Sequence, residues 1–282
     1  MNVSNESKDS NYNKFGLSGF ALKIIAILTM LTDHIGAGLF PSQIWLRMVG
    51  RLAFPIFAFL ICEGFYHTRD IKRYAVRLGI FAIISEIPFN LLHSYYLFDP
   101  GAQNIFFTLL IGLSTIYGFN KCACGAGSRA DAEQSANGSN KSAFGKNMFD
   151  KSVFGKSMFS SYNLLQLIIL AAGLLLAQFL RTDYGAFGVA IILIFHFFRD
   201  KRKLALFFMA TANLLLGLLD FSTGYLPLQA LAGLAAIPLL LYNGNKGPSV
   251  KYAFYIFYPA HIAVIMGVKY VVFQLPVKII NM

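Results

Sequence analysis

Residues 20–77 decide the fold of this chain: FALKIIAILTMLTDHIGAGLF (20–40), the turn PSQ (41–43), IWLRMVGRLAFPIFAFLICEGFYH (44–67) and the basic run TRDIKRYAVR (68–77). Two apolar segments of about 20 residues are each long enough to cross a bilayer, since an α-helix rises about 1.5 Å per residue. Both carry ionisable side chains, namely Lys23, Asp33, His34, Arg47, Arg51 and Glu63. A charge at the centre of a spanning helix costs at least about 2.5–3.5 kcal/mol, so we expect these groups to face one another and a ligand.

Composition places the whole chain in the membrane class. Of its 282 residues 56% are hydrophobic and only 13% are charged, which is more apolar than a soluble domain of this size requires. Lys and Arg (24) outnumber Asp and Glu (13). These cations lie in short loops beside apolar segments, a pattern that orients membrane helices and argues against nucleic acid as a partner. The partner we expect is the lipid bilayer.

Hydropathy predicts an all-α, polytopic bundle of about nine transmembrane helices. The predicted spans are 20–40, 44–66, 74–96, 104–119, 163–180, 184–198, 203–220, 226–242 and 251–274. Loops rich in Lys and Arg alternate with poor ones, which predicts a cytoplasmic N-terminus and a C-terminus outside. We therefore expect a multi-pass protein of the inner, or cytoplasmic, membrane.

Four regions follow from this pattern. Residues 1–19 form a polar cytoplasmic segment, 20–120 a first membrane half with the candidate active site, and 162–282 a second half. The intervening 121–161 contains a tandem ten-residue repeat, KSAFGKNMFD and KSVFGKSMFS. Its Ser-, Gly- and Asn-rich composition predicts a disordered cytoplasmic insertion, with a weak membrane anchor as the alternative.

Helix rise, counted from the turns, brings a set of polar side chains to similar depths in the middle and outer half of the bundle: Asp33, His34, Arg51, Glu86 and His261. A His beside an Asp suits general-base catalysis, and Arg offers a fork of donors to phosphate or carboxylate. We expect Glu86 to hold Arg51, and Pro88 to open its helix and make room for a substrate. As the structural alternative, Glu86 and Arg51 form a buried ion pair that fixes helix register.

The remaining histidines, His67, His93 and His196, lie at span ends and receive no role. The carboxylates and histidines lack ligand spacing on any one helix, so no metal site is predicted. Cysteines at 62, 122 and 124 give no disulfide framework.

Five motifs also carry a family resemblance: DHIG (33–36), GR-x-AFP (50–55), EG-x-x-H-x-R (63–69), ISE-x-P (84–88) and YP-x-H (258–261). In these stretches the chain resembles the TraX family, whose namesake is an F-pilin acetylase. The resemblance is densest over 17–113 and is missing from 121–161. It implies an integral membrane acyltransferase that moves an acetyl group from cytoplasmic acetyl-CoA to an acceptor, which in the namesake is the N-terminal amine of a pilin subunit.

Chemistry suggests roles for the residues of these motifs. His34 would remove a proton from the attacking amine or hydroxyl, and Asp33 would orient it or charge its surroundings. Arg51 and Arg47 would stabilise the thioester oxyanion or a coenzyme phosphate, with Glu86 positioning Arg51. A covalent acetyl-His34 intermediate is the alternative to direct transfer.

Substrate contacts are assigned to His261 and Tyr258, and the docking rim for acetyl-CoA to four cations at the cytoplasmic side: Arg69, Lys72, Arg73 and Arg77. The expected acceptor is a peptide or pilin-like N-terminal amine near the outer side of the membrane. Alternatives are an O-acetyltransferase acting on a surface glycan or wall component, a proton-coupled transporter, and a non-enzymatic membrane accessory protein.

Overall fold

The computed structural model describes residues 16–135, 164–221, 228–273 and 278–280. Within these ranges the all-α prediction is confirmed, because the only strands there, β1 (Tyr96–Phe98) and β2 (Lys278–Ile280), form one short parallel pair. The helices are α1 (Gly19–Gly38), α2 (Ile44–Gly50), α3 (Ala53–His67), α4 (Ile71–His93), α5 (Ile105–Ser135), α6 (Leu164–Phe179), α7 (Gly185–Phe197), α8 (Arg202–Phe221), a 3-10 helix (Leu228–Ala235), α9 (Ala236–Leu240) and α10 (Lys251–Phe273).

The helical segments match the predicted spans in position. Within the part of the chain that the structure describes, six are long and apolar enough to cross a membrane: Gly19–Gly38, Ile44–His67, Ile71–His93, Ile105–Cys122, Arg202–Leu219 and Tyr252–Val272. Three shorter apolar segments accompany them: Leu164–Phe179, Gly185–Phe197 and Leu228–Leu240. The 13 residues of α7 rise only about 20 Å, less than the roughly 30 Å of a hydrocarbon core. The chain is a multi-pass membrane protein with helices of unequal length.

The outside of the bundle is as apolar as its core. Ile83, Phe179 and Val271 are 70%, 83% and 75% exposed. The core lies where α1, α3, α5 and α7 meet, and its fully buried side chains include Leu22, Ile56, Leu113 and Ile191. A large exposed apolar surface of this kind indicates contact with lipid.

The first hairpin positions the polar side chains. The hydroxyl of Ser18 caps α1 by accepting a hydrogen bond from a backbone N–H of the first turn. The returning segment breaks at Arg51 and Leu52, so that α2 ends at Gly50 and α3 starts at Ala53. Helix α1 packs against α2, α3 and α10, and the returning segment and α10 bring polar side chains against Asp33 and His34 of α1.

The segment predicted to be disordered begins inside a helix. Helix α5 continues through Ser135, and the rest of that segment, 136–161, lies outside the described residues, together with both ten-residue repeats. Most of the predicted N-terminal segment, 1–15, also lies outside them.

Candidate active site

Asp33 lies between the two arginines of the returning segment. Its Oδ2 accepts a hydrogen bond from Nη1 of Arg47 at 2.8 Å, and its Oδ1 lies 3.4 Å from Nη2 of Arg51. Gly50 permits this approach, because a Cβ at that position would lie 2.2 Å from the Cβ of Asp33. Two guanidinium groups on one carboxylate form a charge-assisted cluster that keeps a net positive charge beside α1.

Arg51 is also connected to α7 through Tyr184. Its Nη1 donates to the Tyr184 hydroxyl at 3.4 Å, and the Tyr184 ring stacks on Phe54 with centroids 4.0 Å apart. The Nε of Arg51 is buried and has no hydrogen-bond partner within the described ranges. An unpaired buried donor is costly, so this N–H is available to donate to an acceptor oxygen.

The turn that precedes α7 contributes further groups, which the sequence analysis did not assign to the site. The backbone carbonyl of Asp183 accepts a hydrogen bond from the Thr108 hydroxyl, which fixes the turn against α5. Burial raises the pKa of the Asp183 carboxyl to about 6, while the positive charge of Arg51 acts in the opposite direction. The available signal was the polar run RTDY (181–184) between two apolar segments.

His34 pairs with His261 of α10 rather than with its neighbour Asp33. Nδ1 of His34 lies 2.7 Å from Nε2 of His261, and the two rings stack with centroids 4.9 Å apart. Both side chains are buried. The expectation that His34 and His261 meet at one depth is therefore confirmed, while Asp33 faces the arginines.

The hydrogen bonds around His261 fix the protonation of both rings. Nδ1 of His261 lies 2.7 Å from the carbonyl oxygen of Phe257, and because a carbonyl only accepts, this nitrogen carries the proton. A charged ring is costly in a buried site, so the ring is neutral and its Nε2 accepts from Nδ1–H of His34. The unprotonated nitrogen of His34 is then Nε2, to which no described residue is hydrogen-bonded. That is the nitrogen with which a general base takes a proton.

Tyr258 supports the pair from the side. Its ring lies edge-on to His34 and His261, with centroids 5.9 and 5.7 Å away, and it is 3% exposed. Its hydroxyl is hydrogen-bonded to the backbone of Ile105. Tyr258 and His261, to which we assigned substrate contacts, thus lie against His34 and hold its ring in place.

Glu86 does not hold Arg51, and that prediction is wrong. Its Oε2 accepts from Nδ2 of Asn104 at 2.5 Å and from the Asn104 backbone N–H at 3.4 Å. The same amide group donates to the carbonyl of Ala82 at 2.7 Å. Glu86 therefore joins α4 to the start of α5, and the carboxylate that binds Arg51 is Asp33, one helix away at a similar depth.

A groove of about 620 Å³ runs between α4 and α10. The two prolines within these helices, Pro88 and Pro259, both line it, together with Ala260, which directly precedes His261. A proline frees a carbonyl and removes a backbone donor, which loosens the helix around it. The groove lies beside Pro88, but Asp33, His34 and His261 do not line it, so room for a substrate at the site stays a prediction.

The four cations that we assigned to donor docking differ in their contacts. Arg73 is paired with Asp70 at 3.0 Å, and the guanidinium of Arg77 lies 5.8 Å from the Tyr74 ring centroid. Arg69 and Lys72 are exposed.

His93, to which no role was assigned, lies close enough to act electrostatically on both Asp33 and His34. Among the described residues no three His, Cys, Asp or Glu side chains are grouped so as to hold a metal ion.

The motifs at this site correspond to a known family. The sequence matches the family described as "TraX protein" over residues 18–127 and 152–269, which is most of the chain. The chain belongs to the TraX family. The two matched ranges include the candidate site residues from Asp33 to His261 and leave out 128–151, the middle of the low-complexity segment.

Two curated proteins are similar to this member of the TraX family. The "Probable fimbrial assembly protein FimC, serogroup H1" of Dichelobacter nodosus is 28% identical over 273 residues, covering 89% of this chain and 96% of the relative. "Uncharacterized protein RP591" of Rickettsia prowazekii (strain Madrid E) is 32% identical over 98 residues, covering 35% of this chain and 36% of the relative. No solved structure matches the chain.

Proposed function

We propose that this TraX family member is an acetyltransferase of the inner, or cytoplasmic, membrane. It would move an acetyl group from cytoplasmic acetyl-CoA to an amine, such as a peptide or pilin-like N-terminus, near the outer side. The observation that carries the proposal is the hydrogen-bonded chain from the Phe257 carbonyl through His261 to His34, which leaves Nε2 of His34 as an oriented base. Membership of the TraX family supports it, as does a relative named for fimbrial assembly.

The proposed transfer uses His34 as the base and Arg51 as the oxyanion donor. Nε2 of His34 takes a proton from the attacking amine as the nitrogen bonds to the thioester carbonyl carbon. The carbon–sulfur bond then breaks, and the leaving thiolate of coenzyme A takes the proton from His34. The negative charge that develops on the carbonyl oxygen meets the unpaired Nε–H of Arg51. Direct transfer needs no covalent intermediate.

Asp33 acts on the arginines in this scheme. By binding Arg47 and Arg51 together it fixes their guanidinium groups without neutralising both charges. His261 takes the orienting role that was assigned to Asp33, because it accepts the Nδ1–H of His34. In this proposal His261 on α10 orients the base and Arg51 at the end of α2 stabilises the oxyanion, and both helices pack on α1.

The test is acetyl transfer by the purified protein in lipid nanodiscs. Acetyl-CoA is supplied with either a peptide that has a free N-terminal amine or a hydroxyl-bearing oligosaccharide, and both free coenzyme A and the acetylated product are measured. We expect equal amounts of coenzyme A and N-terminally acetylated peptide. Acetylation of the sugar alone would indicate that the acceptor is a surface glycan. Absence of transfer to any acceptor would contradict the enzymatic proposal.

The same preparation separates direct transfer from a covalent route. Without acceptor, direct transfer predicts no release of coenzyme A on mixing. A stoichiometric burst of free thiol with an acetyl group on the His34 peptide would instead indicate acetyl-His34.

A further inference from the structure

A polar cavity at the predicted cytoplasmic end of the bundle is distinct from the His34 site. It has a volume of about 250 Å³ and lies between the end of α3, the turn from α7 to α8, and the segment after α9. Its ionisable lining includes Glu63 and His67 on α3 and three residues at the turn, Arg199, Asp200 and Arg202. None of these residues was given a role in the acetyl transfer described above.

Arg199 and His67 lie within ion-pair distance of the Glu63 carboxylate but form no hydrogen bond with it. Nε of Arg199 lies 3.8 Å from Oε1 of Glu63, and Nδ1 of His67 lies 3.9 Å from its Oε2. Both separations exceed hydrogen-bond distance. The hydrogen bond to this carboxylate comes from the Tyr242 hydroxyl at 3.2 Å. Glu63 is therefore anchored by a phenol and keeps capacity to accept from a ligand hydroxyl.

The two arginines are each held by an aromatic ring. The guanidinium of Arg199 lies 4.0 Å from the ring centroid of Tyr66. The guanidinium of Arg202 lies 5.3 Å from the ring centroid of Tyr242, and its Nη1 donates to the Tyr242 carbonyl at 2.5 Å. An arginine has five N–H donors, so an anchored guanidinium keeps others for an anion. Preorganised forks of this kind suit phosphate groups better than a flexible lysine does.

We propose that this cavity binds the phosphorylated nucleoside half of the acetyl donor, an inference that rests on the proposed function. Arg199 and Arg202 bind the phosphates, and Glu63 accepts from a ribose hydroxyl, as carboxylates do in nucleotide sites. The cavity, at about 250 Å³, is too small to enclose a whole coenzyme A molecule.

The distance to the candidate active site agrees with this assignment. The returning segment rises about 20 Å between Gly50, which touches Asp33, and Glu63. An extended pantetheine arm has a similar length, so a nucleotide bound at Glu63 would bring its thioester to the level of His34. The rim residues Arg69 and Lys72 lie at the same predicted end of the bundle, next along the chain after α3.

The experiment compares a nucleotide fragment with a donor that lacks it. Binding of adenosine 3′,5′-bisphosphate to the protein in nanodiscs is measured by calorimetry for the wild type, Arg199→Gln and Arg202→Gln, with Arg181→Gln as the charge-matched control at the opposite end. We expect at least about tenfold weaker binding for the first two variants, since each loses a charge-assisted contact, and less than about twofold for the control. Arg202→Lys should recover only part of the affinity.

Turnover measurements then distinguish failure of the nucleotide site from failure of the proposed acetyl transfer. In Arg199→Gln and Arg202→Gln the KM for acetyl-CoA should rise about tenfold, while turnover of acetyl-pantetheine, which has no nucleotide, stays at the wild-type value. Equal binding of the bisphosphate to all variants would overturn the subsite while acetyl transfer stands. If only the two variants lose bisphosphate binding, and the wild type transfers acetyl from neither donor, the nucleotide site stands and the enzymatic proposal is overturned.

Discussion

Replacing His261 by leucine tests whether this residue orients the catalytic base. Leucine is close to histidine in size but cannot accept the hydrogen bond from Nδ1–H of His34, which is 2.7 Å long and buried. A buried donor left without a partner costs about 1–3 kcal/mol. His34 avoids that penalty by moving its proton to Nε2, which is the nitrogen that must be free for catalysis.

The expected effect is on turnover. A shift of about 1–3 kcal/mol between the two tautomers lowers the productive fraction of His34, and with it kcat, by a factor of about 5–150. KM should change by less than about twofold, because His34 Nε2 itself remains in place. His261→Gln, whose amide oxygen can accept from Nδ1–H, should recover part of the loss.

The assay follows release of the coenzyme A thiol over a range of acetyl-CoA and peptide concentrations, in nanodiscs. Ile83→Leu, a change on the 70% exposed outer surface, serves as the control for membrane insertion and folding. A His261→Leu protein with wild-type kcat, or one impaired only in KM, would refute the reasoning that His261 sets the tautomer of His34.

Three further changes test the surroundings of the pair. Asp33→Asn should destabilise the protein by about 3 kcal/mol, seen as a lower thermal midpoint, because it leaves Arg47 and Arg51 without their counter-charge. Gly50→Ala should give poorly folded or inactive protein by size-exclusion chromatography and turnover, because its Cβ would overlap the Asp33 side chain; a fully active variant would disprove the close approach. Glu86→Gln should keep a near wild-type thermal midpoint, since its amide oxygen can still accept from Asn104; a fall in midpoint matching that of Asp33→Asn would restore Glu86 as the partner of Arg51.

The sequence predicted the positions and depths of the helices, because both depend only on distance along the membrane normal. Apolar length located the spans, and helix rise placed His34 and His261 at one level, where they form a hydrogen bond. Which side chains pair with one another also depends on how each helix is rotated about its axis. Depth in the membrane does not give that rotation. Asp33 and Glu86 both reach the level of Arg51, and only the packing of α1 on α2, permitted by Gly50, makes Asp33 the partner.

The groups that the sequence analysis missed lie where helices end. Tyr184 has a left-handed backbone with φ of 64°, which aims its ring at Phe54 and its hydroxyl at Arg51. Tyrosine seldom adopts this conformation, and hydropathy carries no information about it. His93 was set aside because it ends α4, yet the turn of the chain there brings it into electrostatic range of Asp33. Residues in turns need the three-dimensional packing before a role can be assigned to them.

The most direct test of the central claim is the single-turnover rate of acetyl transfer in His34→Asn. Asparagine at position 34 can still donate a hydrogen bond to His261, so folding is kept. It has no group in the place of Nε2, so the base is removed. With radiolabelled acetyl-CoA and excess peptide, we predict that the variant keeps the wild-type thermal midpoint and loses at least about a hundredfold in rate, the contribution expected of a general base. A His34→Asn protein that acetylates the peptide at the wild-type rate would contradict the account.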